Sequence, residues 1–390
     1  VSTDRQIVVT TYAGLEPVLA KELLALGARN IEEHTRSVSC VGDDGFIYKI
    51  NYSLRTALRV LIELSCFEIK TGQDLYDGVK KLDWDQYMRL DQTFAVRCTL
   101  SSELFDNSLF PALKAKDAIA DYFRDKTDSR PDVDKEDPDL DVNVFIHRST
   151  CRILLNTSGD SLHLRGYRVD VDKAPLSEVL AAGIILLSGW QPHQRLVDLM
   201  CGSGTIAIEA ALIGGNIPPG TFRKKYGFEK WPTFDKDLFI QIKESQLAKI
   251  SESEVRIFAN DINKFVVKKA QENIEAAGVE DMITLTVGDF REFERLEGNG
   301  CIIINPPYGE KLAVDDITAL YKEIGDCFKK KFAGFQAWVF TGSPEGARSI
   351  GLRASKKIQL FNGPIECRLL GFDLFEGSKK LKKQPKQEID

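Results

Sequence analysis

The chain has no C-x-x-C pair among its eight cysteines, only four histidines and no excess of positive charge. It also has no apolar run approaching the ~20 residues of a membrane-crossing helix. Each absence excludes something. Cys40, Cys66, Cys98, Cys151, Cys201, Cys301, Cys327 and Cys367 are scattered, which supports neither a zinc site nor a disulfide framework; a reducing compartment and no metal are expected. The stretch Val1-Ser2-Thr3-Asp4-Arg5 lacks the basic and apolar regions of a signal peptide, so a cytoplasmic protein with no membrane partner is expected. The net charge of -6 argues against blanket attraction to nucleic acid and leaves only a local basic face for that role.

What is present is core-forming material. With 390 residues, 43% of them hydrophobic and 28% charged, the chain predicts a globular protein of two or three domains. Residues 1–69 read as β-α-β-β-α-β, the ferredoxin-like order, with a helix stopped by Gly27 and a closing extended stretch over 57–69. Residues 70–165 read as a second α+β module. It has a long amphipathic helix from Leu109 to Phe123 carrying Lys114 and Lys116, then an acidic, Pro-punctuated stretch over 125–141 read as a solvated loop. Two strands ending in Asn156-Thr157-Ser158-Gly159 close it. Its element order resembles a THUMP domain, an RNA-binding module; the alternative is a generic accessory domain.

After Leu164-Arg165-Gly166-Tyr167-Arg168, a hinge, residues 166–378 alternate strand and helix from a helix starting at Pro175 to a C-terminal hairpin around Asn362-Gly363. Such alternation predicts an α/β, Rossmann-like, mostly parallel sheet, and the antiparallel hairpin at its end is typical of class I methyltransferases. Residues 379–390 form a lysine-rich tail, read as a solvated end rather than a phosphate contact.

Two stretches carry chemistry. Val197-Asp198-Leu199-Met200-Cys201-Gly202-Ser203-Gly204-Thr205 is a strand, a glycine turn and a helix start. A dinucleotide fingerprint needs a third glycine and an acid about 20 residues on; both are missing here. The turn instead resembles the first motif of S-adenosylmethionine-dependent methyltransferases. That resemblance implies cofactor-binding roles for Asp198, Cys201, Gly202, Gly204 and Thr205. It further implies a ribose site at Asn260-Asp261 after the next strand, and an adenine site at Asp289-Phe290 after the strand that follows. Any one of these acids alone is more simply a cap or turn residue; three in register at successive strand ends are not.

The second stretch is Asn305-Pro306-Pro307-Tyr308, which ends the apolar run Cys301–Ile304. Ligands of open α/β sheets bind beyond the carboxyl ends of strands. The motif resembles the signature of methyltransferases acting on exocyclic base amines or glutamine amides. Such an amine is a poor nucleophile, because its lone pair is delocalised. If the Asn305 side-chain oxygen and the Pro306 carbonyl each accept one N–H, the nitrogen can pyramidalise and aim at a methyl donor. Tyr308 then offers a face on which a base can stack, and catalysis rests on positioning and dipoles. Cys201 and Cys301 read as buried, inert thiols.

Taken together in this order, the modules, Arg165–Arg168, Ala174-Pro175-Leu176, the glycine turn and Asn305-Pro306-Pro307-Tyr308-Gly309-Glu310 resemble the bacterial THUMP-containing RNA guanine-N2 methyltransferases, especially the 23S ribosomal RNA enzymes. The resemblance implies S-adenosylmethionine as donor and RNA as partner. Transfer RNA, an N6-adenine target and a non-catalytic RNA-binding protein are the alternatives. RNA contacts are expected at Lys114, Lys116, Arg165 and Arg168. More are expected at Arg223, Lys224, Lys225 and Trp231 of an insertion over 214–254 that alternates cations with aromatics. Aromatics packed beneath a loop are the simpler reading of any one of these.

Overall fold

The computed structural model describes residues 4–169, 176–251, 254–296, 298–308 and 314–375. The expected helix start at Pro175, Gly309-Glu310 and the lysine-rich tail lie outside them.

The first half runs β1 (Arg5–Thr10), α1 (Glu16–Leu26), β2 (Arg29–His34), β3 (Ser37–Gly42), α2 (Asp44–Ser53) and β4 (Arg59–Glu68). It continues with α3 (Gly72–Lys80), β5 (Phe94–Ser101), α4 (Leu109–Thr127), β6 (Leu140–His147) and β7 (Thr150–Asn156). Local chemistry sets the helix ends. The Asp43 carboxylate accepts from Phe46 N at 2.7 Å, Thr71 and Asp74 form a capping box, and Gly27 closes α1 with φ 102°. The seven strands make one sheet in the order β2-β3-β1-β4-β7-β6-β5. The expected module boundary at 69/70 is therefore not a break in the sheet: β4 pairs antiparallel with β7, Ile62 opposite Leu155. This pairing puts the two modules in one sheet, and because it joins residues more than 90 positions apart it leaves no local trace in the sequence.

The second half runs α5 (Glu178–Ser188), β8 (Arg195–Asp198), α6 (Thr205–Gly214), α7 (Lys236–Leu247), β9 (Ile257–Asp261), α8 (Lys264–Ala276) and β10 (Ile283–Val287). It ends with β11 (Gly300–Ile304), α9 (Val314–Lys331), β12 (Gln336–Thr341), α10 (Pro344–Ser349), β13 (Lys356–Asn362) and β14 (Ile365–Asp373). Its sheet order is β10-β9-β8-β11-β12-β14-β13, with all strands running the same way except β14, which is antiparallel to both its neighbours. The order reverses between β8 and β11, where a crevice opens at the carboxyl ends of the strands.

The two halves share a core. Leu15 and Val18 at the start of α1 are buried among α5 residues such as Val179 and Leu180. Gly183 makes the approach possible, because a Cβ there would lie 2.6 Å from the Leu15 methyls.

Candidate active site

The crevice is a cavity of about 780 Å³, lined by the ends of β8, β9, β10 and β11. Asp198 closes β8 and is 1% exposed; one carboxylate oxygen accepts from Met200 N at 3.2 Å, and the other has no hydrogen-bond partner. Burial, with a smaller contribution from Asp261, pushes its carboxyl up to about 8. A buried carboxyl with a free oxygen is a seat for a cation. Gly202 and Gly204 adopt φ 54° and 84°, which the turn into α6 requires. Asp261 braces that turn: one oxygen accepts from Gly202 N and the other from Asn263 N, both at 3.0 Å.

Asp198, Cys201, Gly202, Thr205, Asp261, Asp289, Phe290 and Asn305 all line this one cavity. Gly204, Asn260, Pro306 and Tyr308 do not. Asn260 is buried and spans the loops after β8 and β10, donating to Gly288 O at 2.9 Å, so it positions the wall rather than forming it. Asp289 differs from expectation: its carboxylate is held by the Arg291 guanidinium at 2.9 Å, and that pair keeps its pKa below the usual range. Arg291 also reaches Glu323 at 3.3 Å, so an adenine amine at Asp289 has to share the acceptor. Ile262, 69% exposed and in the lining, was missed. Its only signal is its place directly after the strand-end acid.

Asn305 stands at the end of β11 with its side-chain oxygen buried and unpartnered. Tyr321 of α9 donates to Pro307 O at 3.4 Å and pairs with Thr341 Oγ1 at 2.6 Å, which fixes the loop. The Tyr308 ring meets Phe340 edge-on at 6.3 Å, and its hydroxyl accepts from Asn362 Nδ2 at 2.9 Å. Cys301 is buried, with its thiol pushed up to about 12, and burial raises Cys201 likewise; neither is a nucleophile.

Three of the arginines expected to contact RNA are engaged within the protein instead. Arg165 is 1% exposed, ion-paired with Glu209 of α6 at 3.4 Å and bonded to Leu162 O at 2.8 Å. Arg168 turns inward to Glu178, to Leu176 O at 2.8 Å and to Thr205 Oγ1 at 3.0 Å, tying the linker to the glycine turn. Arg223 donates to four backbone carbonyls, those of Ser158, Asp160, Ser161 and Leu164. Guanidinium groups carry five donors in a fixed fork, which suits them to gathering carbonyls where segments meet.

The insertion is a buckle. Phe228 and Phe239 pack on Tyr48 of α2 at 4.6 and 5.6 Å, and Trp231 packs edge-on against Tyr87. Lys225 pairs with Asp137 at 2.8 Å, Lys116 with Asp117 at 2.8 Å, and Lys114 lies 5.7 Å from the Tyr76 ring centre. Lys224 is exposed. Among the described residues no cluster suits a metal ion, and no helix is long and apolar enough to cross a membrane.

Comparison with known proteins places this geometry. Residues 6–61 match the RlmL ferredoxin-like domain, residues 70–156 the THUMP domain, and residues 165–370 the RMKL-like methyltransferase domain. A Synechocystis protein provisionally named an RNA methyltransferase is 36% identical over 96% of this chain and 98% of its own. The ribosomal RNA large subunit methyltransferase K/L of Psychromonas ingrahamii is 40% identical over 93% of this chain, which spans only 49% of that longer protein. A crystal structure of a protein assigned as a methyltransferase, in complex with SAH, superposes with TM-score 0.87 at 31% identity, covering 97% of this chain and 100% of the other. The chain therefore belongs to the family of RMKL-like methyltransferases, with a THUMP domain and an RlmL-type ferredoxin-like domain preceding the catalytic one.

Proposed function

We propose that the protein transfers the methyl group of S-adenosylmethionine to the exocyclic N2 amine of a guanine in RNA, with 23S ribosomal RNA as the substrate. The observation that carries this reading is the pair of unpartnered buried oxygens, on Asp198 and Asn305, on the wall of one cavity. The first fits the ammonium of the donor; the second fits one N–H of the acceptor amine. The names of the relatives favour RNA, and that of the K/L enzyme favours ribosomal RNA.

The residues fit the donor along its length. Asp198 holds the amino-acid end, the Gly202–Gly204 turn lets the backbone come close, and each Asp261 oxygen keeps a lone pair for a ribose hydroxyl. Ile262 and Phe290 offer apolar surface to the adenine, beside Asp289. When bound, the donor supplies an electrophilic methyl on a sulfonium. At the acceptor end, Asn305 Oδ1 and the Pro306 carbonyl each accept an N–H, so the amine nitrogen turns its lone pair towards the cavity. Neither acceptor is a base, so the methylated amine loses its surplus proton to solvent. The dipoles are set before the reaction and cost no reorganisation during it. A guanine within a helix has to be flipped out to reach Asn305.

The test is nucleoside mass spectrometry of RNA from a strain lacking the gene, complemented with wild type or with Asn305→Ala. Loss of N2-methylguanosine from large-subunit RNA, restored by wild type alone, is expected. Unchanged N2-methylguanosine in every RNA class overturns the proposal, and loss of N6-methyladenosine instead reassigns the base.

A further inference from the structure

The Asn362-Gly363 pair, read from sequence as the hairpin turn, sits one position differently in the structure. Asn362 is the last residue of β13, paired with Ile365, and the connecting loop is Gly363-Pro364. A strand-end side chain has a direction fixed by the ladder, and this one points at Tyr308, donating Nδ2 to the phenol oxygen at 2.9 Å. Three other contacts seat the same ring. Phe340 meets it edge-on, Cys367 of β14 interacts with the hydroxyl, and Gly342 lets it in, since a Cβ there would lie 3.0 Å from the ring's Cδ2. Burial raises the Tyr308 phenol, so it stays neutral and free to accept.

The same strand also touches the N-terminal half. A Cβ on Gly14 would stand 2.7 Å from Gln359 O and 2.9 Å from a Leu360 methyl, so the turn before α1 rests directly on the strand. Gln359 and Asn362 belong to the same seven-residue strand. One short, paired segment thus runs from the module that precedes the catalytic domain to the tyrosine next to the acceptor loop.

We propose that Asn362 is a positioning residue for methyl transfer: it holds Tyr308 in its working orientation and, through β13, references that orientation to the N-terminal module. Asn362 is placed to act through the Tyr308 hydroxyl alone and touches neither donor nor target amine. This rests on the reading of Asn305–Tyr308 as the target-base site. The bond is neutral, and its removal loosens the angle of a ring on which, in this reading, the target base stacks.

The experiment is a double-mutant cycle. Transfer of tritiated methyl groups to large-subunit RNA from a strain lacking the gene is measured for wild type, Asn362→Ala, Tyr308→Phe and the double variant, with SAH affinity by calorimetry alongside. Asn362→Ala is expected to lower kcat by about tenfold, with SAH affinity unchanged, as befits loss of one orienting hydrogen bond. In the Tyr308→Phe background the same substitution is expected to change kcat by less than about twofold, because the shared interaction is already gone. Equal losses in both backgrounds mean that Asn362 only stabilises the hairpin and overturns the proposal, as does an Asn362→Ala enzyme with wild-type kcat. If wild type itself methylates no large-subunit RNA, the functional reading has failed instead, and SAH binding by the same protein separates that outcome from misfolding.

Discussion

Leaving a buried carbonyl oxygen without a donor costs about 1–3 kcal/mol, so a protein that keeps one at the wall of a cavity keeps it for something that arrives later. Asn305 is such a residue, and Asp198 is another. On the proposed reading, Asn305→Ala removes an acceptor for an N–H of the reacting nitrogen. It is expected to lower kcat by about 10²–10³-fold, the loss seen when one preorganised transition-state dipole is deleted, with SAH affinity unchanged in calorimetry. Asp198 makes a pH prediction. Its carboxyl is raised from 3.8 to about 8, so the protein by itself favours the neutral acid. The stability this group contributes is full below its unfolded value and is lost as pH rises towards 8. A bound ammonium favours the charged form, so donor binding expels a proton. SAH affinity should rise with pH by up to about tenfold per unit and level off near 8. Calorimetry in buffers of different ionisation enthalpy should show about one proton released at pH 7. An affinity that falls over this range contradicts the assignment.

At the scale of elements, the described part of the linker between the halves is fastened by ion pairs at Arg165 and Arg168. Arg165 and Glu209 are both essentially inaccessible, and Tyr167 donates to the same carboxylate at 3.1 Å. Deleting one member strands a buried charge, so Arg165→Ala is expected to cost about 3–5 kcal/mol in urea denaturation. Lys224→Ala, at an exposed position two residues before buried Tyr226, should stay within about 0.5 kcal/mol. Equal effects would mean that the buried Arg165–Glu209 pair does not fasten the linker. These arginines show why part of the site was illegible in the sequence. Asn305-Pro306-Pro307-Tyr308 and the glycine turn are local: a strand, a rigid or tight turn, and a polar group at a fixed offset, all within a few residues. Whether Arg165 or Arg223 faces water depends on carbonyls brought together by tertiary packing, and an arginine among aromatics looks the same whether it follows a phosphate or ties down a loop. Ile262 was unreadable for the opposite reason: it is an exposed aliphatic residue whose place in the lining depends on a cavity that the ends of β8, β10 and β11 also form.

For the whole molecule, the sequence divides into three modules where the structure has two sheets and a shared core. The ferredoxin-like order and the alternating α/β half were readable because periodicity and turn residues mark them. The β4–β7 pairing and the burial of Leu15 against α5 were not, because both join distant segments. The shared core predicts that the two halves unfold as one. Scanning calorimetry should show a single transition for wild type, and Gly183→Leu, which drives a side chain into the space held by Leu15, should split or broaden it. Two transitions in the wild type would contradict the fused architecture.

The seven-stranded first sheet has one more consequence. Its outer strand β5 and the helix α4 beside it are joined to the acceptor loop through paired strands, the ion-paired residues Arg165 and Arg168, and the Gly14–β13 contact. A nucleic acid gripped at the outer end is thereby presented to Asn305 at a set span and angle. Such a body works as a ruler: the nucleotide that is modified is chosen by how far it lies from the landmark being held, and the pocket needs only to accept what arrives.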